Sequence, residues 1–312
     1  MSARKFKGFS ARAYKTASYI LLGIVIIETI FLVRICFKGQ FAPKAARRQA
    51  VAVGKKKITK IPVAKMTAPA PAPSRPPAGI PTPKHSKGKI AIIVDDSGYN
   101  PRDCEYLRSI SSPVTISILP NLRQSKKIAQ CAHAYQKEVM LHLPLEAHEN
   151  EDVYPKNYVI NIDMPKGLII DRLEEALESV PYADGINNHM GSKATEDQRL
   201  MSIIFAQLLN KNLFFVDSRV TSKTVCPGLA RKTGLPFAIR DVFIDNINKR
   251  PAIEAQFHEL ARLAAENGFA IGIAHTRPLS WKIIQEQTEE LKQEGFEIVP
   301  VKTIVNKNRN GE

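Results

Sequence analysis

From Lys89 onward, short apolar runs alternate with amphipathic stretches of ten or more residues, a pattern that points to repeated βα units rather than a sandwich. The runs are Ile90–Val94, Val114–Ile118, Val139–Leu141, Gly185–Asn187, Leu213–Val216, Ala238–Phe243 and Phe269–Ala274, with an eighth candidate at Glu297–Val299. Between them lie helical patterns at Lys166–Val180, Glu196–Asn210 and Ala252–Asn267. In the first, Leu168, Leu173, Ala176, Leu177 and Val180 recur at helical spacing. Strands that are apolar along their whole length are what a parallel sheet covered on both faces requires. Seven or eight such units in about 215 residues fit a closed or nearly closed β/α barrel. An open doubly wound sheet is the alternative, but it would more often carry a Gly-rich first turn, and none is present.

The part before Lys89 has another composition. Residues 1–88 hold 18 Lys and Arg against the single acid Glu28, whereas the remaining 27 basic and 29 acidic residues leave the domain slightly negative. The overall charge of +15 therefore belongs to the tail, and a nucleic-acid-binding domain is not expected. Ala17–Val33, ASYILLGIVIIETIFLV, is long enough to span a bilayer and carries one charge, Glu28. Arg4, Lys5, Lys7, Arg12 and Lys15 precede it, which favours residues 1–16 in the cytoplasm and the domain beyond the inner membrane, on the periplasmic side. A cleaved signal peptide would want a shorter apolar core and a small-residue site directly after it. Residues 34–88 contain GKKKITK and APAPAPSRPPAGIPTP, a composition for a disordered, extended spacer. The expected organisation is thus a basic N-terminus (1–16), a transmembrane anchor (17–33), a linker (34–88), one domain (89–305) and a short tail (306–312).

Four cysteines, Cys36, Cys104, Cys131 and Cys226, form no CxxC pair. Buried apolar thiols are the expectation for the domain, with a Cys104–Cys131 bridge left open for an oxidising compartment.

Reactive residues gather at strand ends. IIVDDSG places Asp95 and Asp96 after the first strand, MLHLPLE places His142 and Glu146 at the third, and INNHMGS places Asn187, Asn188, His189 and Ser192 at the fourth. FFVDSR ends in Asp217 and IGIAHTRP in His275. Each has a plain structural explanation: the aspartates as helix or loop caps, His142 as a core histidine, the asparagines as turn residues. Their joint placement argues otherwise, because the C-terminal strand ends of a barrel converge on one face. Two carboxylates and three histidines suit a borderline divalent cation such as zinc. Asp95 and Asp96, pointing different ways, could divide the roles of base and ligand. His85, His133, His148 and His258 fall in linker, helix or loop and are expected to be surface or local structure.

Taken in order, IIVDDSG, MLHLPLE, GINNHMGS, FFVDSR and IGIAH resemble the divergent polysaccharide deacetylases, a branch of the NodB-like superfamily. The resemblance covers about 89–305. It implies a distorted (β/α)7-type barrel and a metal-dependent hydrolase removing N- or O-acetyl groups from an envelope polysaccharide. Carried residue by residue, it makes Asp95 the general base, Asp96 a metal ligand and His275 the general acid. The H-x-x-x-H ligand motif of such enzymes is absent here, since the histidines of HLPLEAH stand six apart. The other ligands are therefore assigned to His142 and His189. Asp217 would orient His275 or sit behind a ligand. The Asn187-Asn188 or Gly191-Ser192 backbone would hold the oxyanion, and Asn187, Asn188, Ser192 and Glu146 would face substrate. The Arg-bearing substrate motif of typical members is not visible. A second class of function stays open: a tethered envelope module that binds glycan, or serves as a scaffold, without turnover. A two-carboxylate glycosidase fits less well, because histidines dominate the strand ends.

Overall fold

The computed structural model describes residues 86–149, 155 and 158–309. The segments expected as a cytoplasmic N-terminus (1–16) and a membrane anchor (17–33), and nearly all of the expected linker (34–88), lie outside the described residues. Among the described residues no helix is long and apolar enough to cross a membrane.

Among the described residues, nine strands form one sheet in which every pairing is parallel. They are β1 Lys89–Ser97, β2 Thr115–Ile118, β3 Glu138–Leu145, β4 Ala183–Met190, β5 Phe214–Asp217, β6 Phe237–Ile239, β7 Val242–Phe243, β8 Phe269–His275 and β9 Glu297–Ile298. The spatial order is β6-β5-β4-β3-β2-β1-β8-β7, with β9 beside the start of β1. The helices are α1 Asp103–Ser109, α2 Ser125–Ala134, α3 Lys166–Ser179, α4 Gln198–Asn210, α5 Cys226–Thr233, α6 Arg250–Asn267, α7 Pro278–Glu294 and α8 Val301–Arg309. This is the parallel α/β architecture read from the alternating runs, and it fits a distorted barrel.

The run Ala238–Phe243, expected as one strand, is two. Arg240 N donates to Asp217 O on one side, and Asp241 N donates to Ile271 O on the other. The chain thus leaves the β5 edge and joins the β8 edge within two polar residues, so β6 and β7 face each other across a seam without ladder bonds. The stretch 306–312, expected as a tail, is helical as far as Arg309.

Alternate residues on each strand divide between two cores, as the two-residue period of a strand requires. Ile90, Ile92 and Val94 of β1, Leu141 of β3, Ile186 of β4 and Phe215 of β5 pack outward against the helices. Ala91, Ile93, Met140, Phe214, Val216, Ala238, Ile271 and Ile273 fill the interior together with Val301, Ile304 and Val305 of α8. The last helix closes the N-terminal end of the barrel. Thr115 Oγ1 accepts from Val301 N, and the Glu138 carboxylate from Lys302 N. The C-terminal strand ends are left for the site.

Local signals set the helix limits. Asp197 caps α4 by accepting from Leu200 N at 2.7 Å, and Pro251 and Pro278 stand in the first turns of α6 and α7. Those two helices stop at Gly268 and Gly295, whose φ of 81° and 101° suit a residue without Cβ. Cys104 of α1 and Cys131 of α2, expected as thiols, are joined in a disulfide because the paired helices bring their Cα atoms to 5.6 Å. Among the described residues the free cysteine is the buried Cys226.

Candidate metal centre

The same alternation that builds the barrel interior delivers the site. On β1 the inward series Ala91, Ile93 continues to Asp95. On β3, Met140 leads to His142, and on β8, Ile271 and Ile273 lead to His275. On β4 the residue between the outward Ile186 and the strand end is Asn187, followed two positions on by His189. Register brings these together: Asp95 lies beside His275, His142 beside Asn187, and Pro144 beside His189.

Asp96 breaks the alternation. The β1–β2 register shifts between Val94 and Ser97, and Asp96 adopts φ 57°. A bulge with one left-handed residue turns two successive side chains toward the same side. The consecutive aspartates therefore both line the cavity instead of diverging.

Three donor atoms form a small triangle. Asp96 Oδ1 lies 3.3 Å from His142 Nε2 and 3.1 Å from His189 Nδ1, and the two ring nitrogens are 3.1 Å apart. Ligand atoms of a tetrahedral zinc, each about 2.0–2.1 Å from the ion, stand about 3.3 Å from one another. One carboxylate and two imidazoles at this spacing fit a divalent cation with a further position open. A second group, Asp95, Asp96 and His275, shares Asp96 and also lies within 4.8 Å. Asp95 Oδ2 is 3.6 Å from His142 Nε2, and its buried Oδ1 has no hydrogen-bond partner among the described residues.

Electrostatics separates the two aspartates. Burial, then the neighbouring Asp96 charge, pushes the Asp95 carboxyl well above the usual range. For Asp96 burial pulls the same way, but the contacts with His142 and His189 outweigh it and hold the carboxyl below the usual range. Burial also lowers the proton affinity of His142.

His275 is oriented by Asp245, a residue the strand-end motifs did not single out. Burial opposes the charged ring, but Asp245 Oδ1 at 2.6 Å from Nδ1 and the charge of Asp95 outweigh it, and the proton affinity is raised. Asp245 is itself fully buried and also accepts from His275 N and Ser280 Oγ. The signal was available: Phe243 packs into the barrel interior, so Asp245, two residues later, continues that face. The Phe243 ring stacks on His275 at 5.9 Å, and the Arg240 guanidinium lies over the same Phe243 ring, 3.8 Å from its centre.

Asp217, expected behind a ligand or at His275, does neither. It follows the outward-facing Phe215 by two positions and turns away from the axis, accepting from Thr224 Oγ1 and Arg219 N. Asn187 is not an oxyanion donor: its side chain is wholly buried behind His142, and its backbone lies in the ladder between β3 and β5. Asn188 also lies in that ladder, although it borders the cavity. Its amide is used on Met190 O and Ser218 N. Glu146 is engaged by Lys193 Nζ at 2.6 Å and Ile162 N at 2.8 Å, away from the cavity wall. Ser192 does border the cavity, where its Oγ accepts from His148 N. His148, read as local structure, is also at this wall, 3.2 Å from Glu196. The cavity measures about 690 Å³, and Thr221 and Lys223 also line it.

Comparison with known proteins agrees with this architecture. Residues 92–305 match the family described as divergent polysaccharide deacetylase. The uncharacterized protein YibQ of Escherichia coli is 33% identical over 204 residues, which is 65% of this chain and 63% of that protein, so the match spans less than two thirds of its length. An uncharacterized protein of Haemophilus influenzae is 28% identical over 209 residues, 67% of this chain and 74% of its own. Among solved structures, an uncharacterized protein from Agrobacterium tumefaciens superposes with a TM-score of 0.67 at 23% identity, covering 72% of this chain and 91% of its own, which speaks to the fold. With the family match extending over most of the chain and the whole set of strand ends, this protein belongs to the divergent polysaccharide deacetylase family.

Proposed function

We propose that this protein is a metal-dependent deacetylase acting on an acetylated envelope polysaccharide, with Asp96, His142 and His189 holding a divalent ion, zinc by the chemistry of the donors. The observation that carries the reading is the ligand triangle set beside two further groups of opposite character, Asp95 and the His275–Asp245 pair. When bound, the ion supplies Lewis-acid polarisation of the acetyl carbonyl and a lower pKa for the attacking water. Asp95, whose buried carboxyl has a raised proton affinity, takes the proton from that water as oxygen bonds to the carbonyl carbon. His275 enters protonated. Asp245 holds Nδ1–H, so Nε2 is the nitrogen that gives its proton to the departing amine nitrogen or alcohol oxygen as the C–N or C–O bond breaks. Acetate and the deacetylated sugar leave. Phe243, stacked on His275, limits the positions this ring can take.

An envelope location is part of the proposal. It is supported by the apolar segment 17–33 with its basic flank, and by the Cys104–Cys131 bridge, a linkage typical of oxidising compartments.

The test joins metal content to turnover. Purified full-length protein should carry one zinc-class ion per chain and release acetate from a panel of acetylated oligosaccharides. Asp96→Ala and His142→Ala should lose the ion. Asp95→Asn should retain it and lose turnover, and His275→Ala should retain it with activity lower by roughly 10²–10⁴-fold. Protein that holds metal and glycan yet releases no acetate across the panel would instead be the binding module. Protein that holds no divalent ion would remove the assigned centre.

A further inference from the structure

We infer that Asn187 is a positioning residue for the metal centre: its amide, fixed from behind by two serines, keeps the His142 proton on Nδ1 and leaves the Nε2 lone pair at the ligand triangle. The inference rests on the metal reading above and deepens it.

The hydrogen bonds run in one direction. Ser218 has a single hydroxyl hydrogen and donates it to Asn188 O at 2.9 Å. Its oxygen is then the acceptor for Asn187 Nδ2 at 3.2 Å. With the amide nitrogen committed there, Asn187 Oδ1 faces the other way, accepting from the Ser117 hydroxyl and standing 3.0 Å from His142 Nδ1. An amide oxygen only accepts, so Nδ1 carries the proton. Nε2 is consequently the unprotonated nitrogen, and it is the one 3.3 Å from Asp96 Oδ1.

Burial gives this chain of bonds its force. Ser117 and Asn187 are fully buried and Ser218 is 2% exposed, so a missing partner leaves a desolvated polar group behind. A reversed amide would aim its two N–H donors at Ser117 and His142 and leave its oxygen against Ser218, a buried acceptor without a donor. Without the amide oxygen behind it, His142 has a better alternative: a proton on Nε2 donated to Asp96, in the space the ion needs. Asparagine prevents that competition. A carboxylate would orient the ring as well, but would bring a third negative charge to a site that already holds Asp95 and Asp96. The neutral amide directs the lone pair without adding charge.

The test reads the tautomer and the metal separately. Full-length, metal-free protein carrying ¹⁵N-labelled histidine, in slightly alkaline buffer, should show His142 as the Nδ1–H form. Asn187→Leu should shift it to Nε2–H and weaken zinc binding, measured against a chromogenic chelator, by roughly 10–100-fold. Asn187→Asp should restore the Nδ1–H form and zinc binding. Ser218→Ala, which touches no ligand, should free the amide to turn and give mixed tautomers with an intermediate loss. Wild-type tautomer and affinity in Asn187→Leu would overturn the inference. If that variant does not fold, an unchanged tautomer in Ser218→Ala overturns it instead. An Nδ1–H wild type that binds no zinc would support the orienting role of Asn187 while overturning the metal reading.

Discussion

Glu138 stands at the opposite end of the barrel from the candidate site, and its carboxylate is a liability that should be visible in stability. It accepts from Thr115 Oγ1 and Lys302 N, yet burial pushes its pKa from 4.5 up to about 7. Between those values the folded chain holds a proton that the unfolded chain has released. Stability should therefore fall as pH rises through this window and stay lower above it. At about 1.4 kcal/mol per unit the span amounts to roughly 3 kcal/mol. Glu138→Gln should flatten that fall, so its advantage over wild type grows between pH 5 and pH 8 in urea unfolding followed by the single, buried Trp281. A constant difference across the window would mean that the carboxylate is solvated. The residue scale is also where sequence reading succeeded and failed for stated reasons. Asp95, His142, His189 and His275 were legible because strand ends of a barrel converge. Asp96 was legible as a ligand from IIVDDSG as well, but the bulge that turns it to the same side as Asp95 was not. Asp217 was misjudged because only its strand was counted and not its parity with Phe215, and the same parity would have found Asp245 from Phe243. The work of Asn187 was illegible because it depends on hydrogen bonds to Ser117 and Ser218, far away in sequence.

At the scale of elements, the strands were readable from their apolar runs, whereas the split of Ala238–Phe243 depended on backbone bonds to two different edges. The glycines of the elements offer a paired test of how closely strands and helices are packed. On β4, a Cβ at Gly185 would come within 2.3 Å of the Phe214 ring, which fills the barrel interior beside it. Gly185→Ala should cost about 1–3 kcal/mol through overpacking, seen as a lower Tm. In α5, by contrast, a Cβ at Gly228 would meet nothing within 4 Å. Gly228→Ala should raise Tm slightly, by the equivalent of up to about 1 kcal/mol of helix propensity. Equal effects at both positions would show that β4 and β5 can separate to admit a methyl group.

For the whole molecule, the charge asymmetry makes a prediction about sides. A phosphatase reporter fused after residue 312 should be active only if the C-terminus lies outside the cytoplasm, while a reporter that works only in the cytoplasm should stay dark there. The reverse pattern would remove both the anchor orientation and an envelope substrate. The domain's contacts have a consequence in time. Its first strand lies between neighbours made early and late: β2 follows it closely, but β8 and β9 come at the end of the domain, with Glu297 roughly two hundred residues beyond its partner Lys89. The helix that plugs the barrel comes later still. A ribosome must therefore finish nearly the entire chain before β1 acquires its second edge. Until then the apolar side of β1 that will face the barrel interior lacks Ile271 and Ile273 of β8 and Val301, Ile304 and Val305 of the last helix, and a chaperone that holds extended chains would find its best opportunity in that interval.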